Sequence, residues 1–169
     1  DNVTGLTTGF ANINKFTNGF QKSEITIIAA RPSVGKTALA LNFAYRAALR
    51  KRVPVAIFSC EMPSNLLITR LIGASSQVSL TKITTGTLND REKNNVMQGI
   101  REVSDLPIFI DDTPNIPIMD LVAKSRQLQS KHPDLGLIIV DYLGLVSVAT
   151  KGKSIDNRQE EVRRISLAL

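Results

Sequence analysis

Residues 30–37, Ala30-Arg31-Pro32-Ser33-Val34-Gly35-Lys36-Thr37, leave this chain few ways to fold. They follow the apolar run Ile25-Thr26-Ile27-Ile28-Ala29 and lead into a segment rich in helix formers. The pattern reads as a strand over Ile25–Ala29, a tight loop, and a helix opened by Gly-Lys-Thr. Such a layout suits phosphate. The first turn of a helix has N–H groups without intrahelical partners and the positive end of the dipole. Gly35 lets the backbone approach a ligand, Lys36 can reach β- and γ-phosphates, and the Thr37 hydroxyl can bind Mg²⁺. Arg31, Pro32, Ser33, Val34, Gly35, Lys36, Thr37 and Ala38 are therefore the candidate nucleotide-binding residues. Ala30 departs from the generic pattern, which has glycine there; alanine costs little at negative φ and is strained at positive φ. The plain alternative is a chance Gly-Lys-Thr at a helix start.

With 169 residues the chain can bury a core as one domain, and 43% hydrophobic with 21% charged residues is ordinary globular composition. No apolar run is long enough to span a bilayer, and the first residues lack the basic and apolar regions of a signal peptide. The single cysteine, Cys60, excludes an internal disulfide framework, fits a reducing cytoplasm, and reads as a small buried hydrophobe in an apolar strand. The net charge of +6 favours polyanionic partners, whereas the absence of tryptophan argues against a base-stacking platform.

Apolar runs alternate with helical patterns, the signature of an α/β fold. Strands are expected at Ile25–Ala29, Val55–Ser59, Ile108–Asp111 and Leu137–Asp141, parallel and buried on both faces. Lys36–Arg50 reads as a helix buried against the sheet, with Lys51 and Arg52 at its C-terminal end and Pro54 beyond. A helix opens near Pro63 and runs to about Gln77. Asn89 and Glu92 form a capping-box-like start, with Val96, Ile100 and Val103 on one face. Pro117 opens another helix that buries Ile118, Leu121, Val122 and Leu128, and a last helix is expected from about Asn157, after an exposed loop between Ser147 and Asp156.

In open parallel sheets the ligand site lies beyond the carboxyl ends of the strands, so acids there are weighed separately. Leu137-Ile138-Ile139-Val140-Asp141 is an apolar strand ending in aspartate, the pattern whose carboxylate holds a nucleotide's Mg²⁺. A turn or cap role is its plain alternative. Glu61, after Phe58-Ser59-Cys60, can activate a water that attacks the γ-phosphate, or can cap the helix near Pro63. Asp111 and Asp112 read as turn chemistry before Pro114. His132 reads as a surface residue compatible with a helix C-terminus. A lone histidine and a lone cysteine make zinc improbable.

Together, residues 29–37, Phe58-Ser59-Cys60-Glu61-Met62-Pro63 and Ile139-Val140-Asp141-Tyr142-Leu143 resemble the C-terminal motor domain of the replicative DNA helicase family DnaB. Thr4–Phe10, Thr17–Phe20, Lys82–Gly86 and Asp156–Gln159 extend the resemblance over nearly the whole chain, and alanine at position 30 is what that family shows. The resemblance implies a RecA-like P-loop NTPase core, a largely parallel sheet flanked by helices, with residues 1–169 forming part of the motor domain. It implies ATP and Mg²⁺, a homo-hexameric ring, hydrolysis between subunits, and 5′→3′ translocation on single-stranded DNA in the cytoplasm. Primase and a helicase loader are the further partners it implies.

By the same resemblance, Lys36 serves the phosphates, Thr37 and Asp141 the metal, and Glu61 the attacking water, so that Glu61 and Lys36 are the catalytic pair. Lys151–Lys153 fall where the family's loops meet DNA, and Gly144 stands where most relatives carry glutamine. Family members continue into a further central strand, a phosphate-sensing glutamine and an arginine finger. The core is thus expected to be truncated at its C-terminal side and incomplete as a catalyst by itself. Other uses of such a core are a recombinase- or clock-type ATPase and a non-catalytic ATP-binding scaffold.

Overall fold

The computed structural model describes residues 3–31 and 33–141. Three strands, β1 (Val55–Ser59), β2 (Ile108–Asp111) and β3 (Leu137–Asp141), form a parallel sheet in the order β2-β1-β3. Register is fixed by Val55 opposite Ile108 on one side and Leu137 on the other. All three strands therefore point their carboxyl ends the same way, and the acids that end β2 and β3 arrive at the same edge of the sheet.

Among the described residues six helices join and cover these strands: α1 (Ala11–Thr17), α2 (Lys36–Lys51), α3 (Ser64–Ser76), α4 (Leu80–Thr85), α5 (Asp90–Ser104) and α6 (Ile118–Lys131). Alternation along β1 splits the core in two. Val55 and Ile57 pack with Leu41, Ala44 and Ala47 of α2 and Leu67 and Leu71 of α3. Ala56 and Phe58 face the other way, onto Ile116, Ile118 and Leu121, with Val122 and Leu128 beside them. The run of alanines along α2 lets it lie close to the strands that hold the acids.

Local chemistry sets the ends of these helices. Asn89 accepts from the Glu92 amide while the Glu92 carboxylate accepts from the Asn89 amide, completing the expected capping box. Of the expected Val96–Ile100–Val103 face on α5, Val96 is buried and Val103 packs against the core, whereas Ile100 is exposed and Gly99 instead lies against α3. The reason is closeness of approach. A Cβ on Gly99 would come within 3.1 Å of the Ser76 side chain, so the smallest residue turns inward and Ile100 is rotated out. The helices α1 and α4 were not evident from the sequence pattern. Helix α1 is organised by polar bonds instead of an apolar stripe: buried Asn14 accepts from the Thr8 amide and hydroxyl and donates to the Thr7 hydroxyl.

The strand expected at Ile25–Ala29 does not form. A strand needs a neighbour for its ladder of hydrogen bonds. Central β1 already has β2 on one side and β3 on the other, so the free edges among the described residues are those of β2 and β3. Segment 25–29 lines a wide hollow together with β3 but is not laddered to it. Ile25 and Ile27 stay 53% and 70% exposed, and Ile138 of β3 is 43% exposed. The expectation that all strands are buried on both faces therefore holds for β1 alone. The expected loop before Asp156 and helix from Asn157 lie outside the described residues, as do Gly144 and Lys151–Lys153.

Candidate functional site

The loop before α2 takes the shape its glycine permits. Gly35 caps α2 with φ of 109°, a backbone state that L side chains rarely adopt. A Cβ there would meet nothing within 4 Å, so the need for glycine is conformational. Ser33 also has positive φ, at 64°, whereas Ala30 is not among the described residues with positive φ. Alanine at position 30 thus carries no backbone strain. The first turn of α2 has no side-chain cap and no acidic residue, which leaves its positive end for an outside anion. Arg31, Ser33, Val34, Gly35 and Ala38 are arranged around it, mostly exposed, and Pro32 lies outside the described residues.

Across the sheet edge, Asp141 meets this helix. The Thr37 hydroxyl donates to Asp141 Oδ2 at 2.5 Å, and Lys36 Nζ lies 3.4 Å from Asp141 Oδ1. Asp141 is only 4% exposed, so its charge is balanced within the protein by groups more than a hundred residues away in sequence. Two hard oxygen donors, an alcohol and a carboxylate, here sit side by side at the N-terminus of a helix. That donor set fits Mg²⁺, which favours oxygen and shares its shell with water and phosphate. Among the described residues no group of three or more Asp, Glu, His or Cys side chains could hold a metal by itself.

Glu61 lies one residue beyond Cys60, exposed, on the wall of the hollow that also holds Lys36, Thr37 and Asp141. Its alternative role as a helix cap is not realised. Helix α3 is capped by Pro63, without a side-chain bond, and the Ser64 amide donates instead to Asp112 Oδ2 at 2.8 Å. Cys60 sits just past β1 and not within it, buried, its amide donating to the Asp141 carbonyl at 2.7 Å. Burial, then the carboxylates of Asp141 and Asp111, push its thiol pKa up, as befits an inert core residue.

Asp111 follows the expected turn chemistry, accepting from the Thr113 amide and hydroxyl and pairing with Lys124 at 2.5 Å. Burial raises its pKa, but Lys124 and Thr113 outweigh this and hold it below the usual carboxylate range. Asp112 departs from the expected turn role and reaches α3. His132 caps the C-terminus of α6 and lies against Phe109 at 4.6 Å between ring centroids, away from the site.

A parallel sheet, a glycine-capped helix and a strand-end aspartate bonded to its Lys-Thr define a RecA-like α/β domain. The sequence profile of the DnaB-like helicase C-terminal domain matches residues 5–169, and the chain belongs to that family. It is 41% identical over 167 residues to the replicative DNA helicase DnaB of Geobacillus stearothermophilus, covering 99% of this chain and 36% of that protein. It is equally similar to the replicative DNA helicase DnaC of Bacillus subtilis, with the same coverage. Among solved structures, one ATPase domain superposes with a TM-score of 0.90 at 30% identity, over 99% of this chain and 59% of that one. A DnaB-like replicative helicase described with its interactions with primase gives 0.91 at 30% identity, over 100% of this chain and 40% of that one. The chain thus spans about a third of the length of these curated relatives.

Proposed function

We propose that this chain is the ATP-hydrolysing part of a replicative DNA helicase, and that Lys36, Thr37, Asp141 and Glu61 carry its chemistry. The observation that bears most weight is the bond from Thr37 to Asp141, with Lys36 beside it. Residues far apart in sequence meet at the free end of a helix, where a triphosphate is stabilised by amides, dipole and ammonium together. Thr37 and Asp141 would hold Mg²⁺, which would neutralise charge on the phosphate oxygens. Lys36, whose Nζ lies 3.4 Å from Asp141 Oδ1, would serve the β- and γ-phosphates. Glu61, exposed and unbound to the helix it precedes, accepts a proton from the attacking water.

The wider role we propose is a homo-hexameric ring that hydrolyses ATP at subunit junctions and moves 5′→3′ on single-stranded DNA, with primase and a loader as partners; the similarity to replicative DNA helicases, one of them described with primase, supports that reading. The net charge of +6 suits a polyanionic track read through its phosphates. No helix among the described residues is long and apolar enough to cross a membrane.

The test is ATP turnover by the full-length protein with and without single-stranded DNA. Strong stimulation, abolished in Lys36→Ala, supports the motor. Tight ATP binding with turnover indifferent to DNA contradicts it and favours a clock-type ATPase or a scaffold.

A further inference from the structure

Glu61 sits on a short connection between β1 and α3, and a base on an exposed loop is useful only if that loop is held. Four bonds hold this one. At its start the Cys60 amide donates to the Asp141 carbonyl at 2.7 Å, tying the turn to the strand that carries the metal-binding acid. Buried Ser59 then closes the turn. Its hydroxyl donates to the Met62 carbonyl at 2.7 Å and accepts from the Met62 amide at 3.3 Å, so residues 60 and 61 are bracketed by one side chain. At the far end the Ser64 amide donates to Asp112 at 2.8 Å.

The last bond is unusual in origin. The residue capping α3 is Pro63, which has no side-chain acceptor for the free amides of the first turn. The acceptor comes from just past another strand, 48 residues away in sequence. The neighbouring Asp111 is already engaged by Lys124 and Thr113, which leaves the Asp112 carboxylate to Ser64. Bonds from the Ser64 amide and hydroxyl hold the Asp112 pKa below its ordinary value, so the cap is anionic at neutral pH.

We infer that Ser59 and Asp112 are positioning residues for Glu61: the Ser59 hydroxyl fixes the turn that displays it, and Asp112 anchors the helix immediately after it. This rests on the reading of Glu61 as the group that activates water. Loosening either bracket should slow the chemical step and leave nucleotide affinity alone, because neither side chain is bonded to the phosphate loop.

The experiment uses steady-state ATP turnover and fluorescent-nucleotide binding by the full-length protein. Asp112→Ala should lower kcat about tenfold with KM for ATP within about twofold, and Asp112→Asn, which keeps an acceptor oxygen, should restore most of it. Ser64→Pro removes the same bond from the donor side at a helix position that tolerates proline, and should give the same kcat loss. It also serves if Asp112→Ala does not fold. In the Glu61→Gln background, Asp112→Ala should cause no further loss, because it acts through the residue already removed.

An unchanged kcat in both Asp112→Ala and Ser64→Pro would overturn the inference. So would equal losses with and without Glu61, or an effect confined to KM. Failure of the underlying reading looks different: Glu61→Gln itself would then turn over ATP at the wild-type rate.

Discussion

The ends of β1 and β3 lie side by side in one sheet, yet they present their acids in opposite ways. Asp141 is buried and bonded to Lys36 and Thr37; Glu61 is exposed and held only through its backbone neighbours. The difference teaches what each carboxylate can do. On the proposed reading, an acid that holds a metal must be fixed and close to the start of α2, which its bonds to Thr37 and Lys36 provide. An acid that takes a proton from water must reach solvent and keep its lone pairs open. The fold supplies both by ending β3 against α2 and extending the chain beyond β1 one turn further out.

The largest expected effect separates the two acids. Glu61→Gln should lower kcat by about 10²–10⁴-fold with ATP binding intact, measured by turnover and by nucleotide affinity. A comparable rise in KM would merge the two roles. Next, Asp141→Asn should weaken the Mg²⁺ dependence of nucleotide binding by about 10–100-fold, read by titrating Mg²⁺ at fixed nucleotide.

The two flanks of β1 sharpen the contrast through stability. Leu67→Ala, beneath the closed flank, should destabilise by about 2–5 kcal/mol in denaturant unfolding. On the open flank, Ile138→Thr should change stability by about 0.5 kcal/mol or less in the same assay. A large loss at Ile138 would mean that the edge of β3 is covered in solution.

The smallest effect concerns the end of β2. The Asp111 pKa is held down in the folded state, because Lys124 and Thr113 outweigh burial. Its stabilisation is therefore complete above the unfolded carboxylate pKa of about 3.9 and is lost as pH falls through the lower folded value. Asp111→Asn should flatten that part of the acid-unfolding curve and leave the curve above about pH 5 parallel to wild type.

Much of this was legible in the residues. Gly35-Lys36-Thr37 stands at a helix start and Asp141 at a strand end, as their flanking patterns indicated, and the two meet. The Asn89–Glu92 box and the strands at 55–59, 108–111 and 137–141 were equally plain. What the sequence hid depends on neighbours. Ile25–Ala29 has a strand's composition but no ladder partner among the described residues, and composition cannot report a missing neighbour. Asp112 looked like turn chemistry because its partner, Ser64, lies across the sheet edge. Gly99 turned inward because of Ser76, which no periodicity in α5 encodes.

The most direct test is a paired Mg²⁺ titration of ATP binding to the Glu61→Gln and Asp141→Asn proteins, full length and followed with a fluorescent nucleotide. The division of labour between strand ends predicts a wild-type Mg²⁺ curve for Glu61→Gln and a clearly weakened one for Asp141→Asn. Equal shifts in both, or a shift in Glu61→Gln alone, would contradict it.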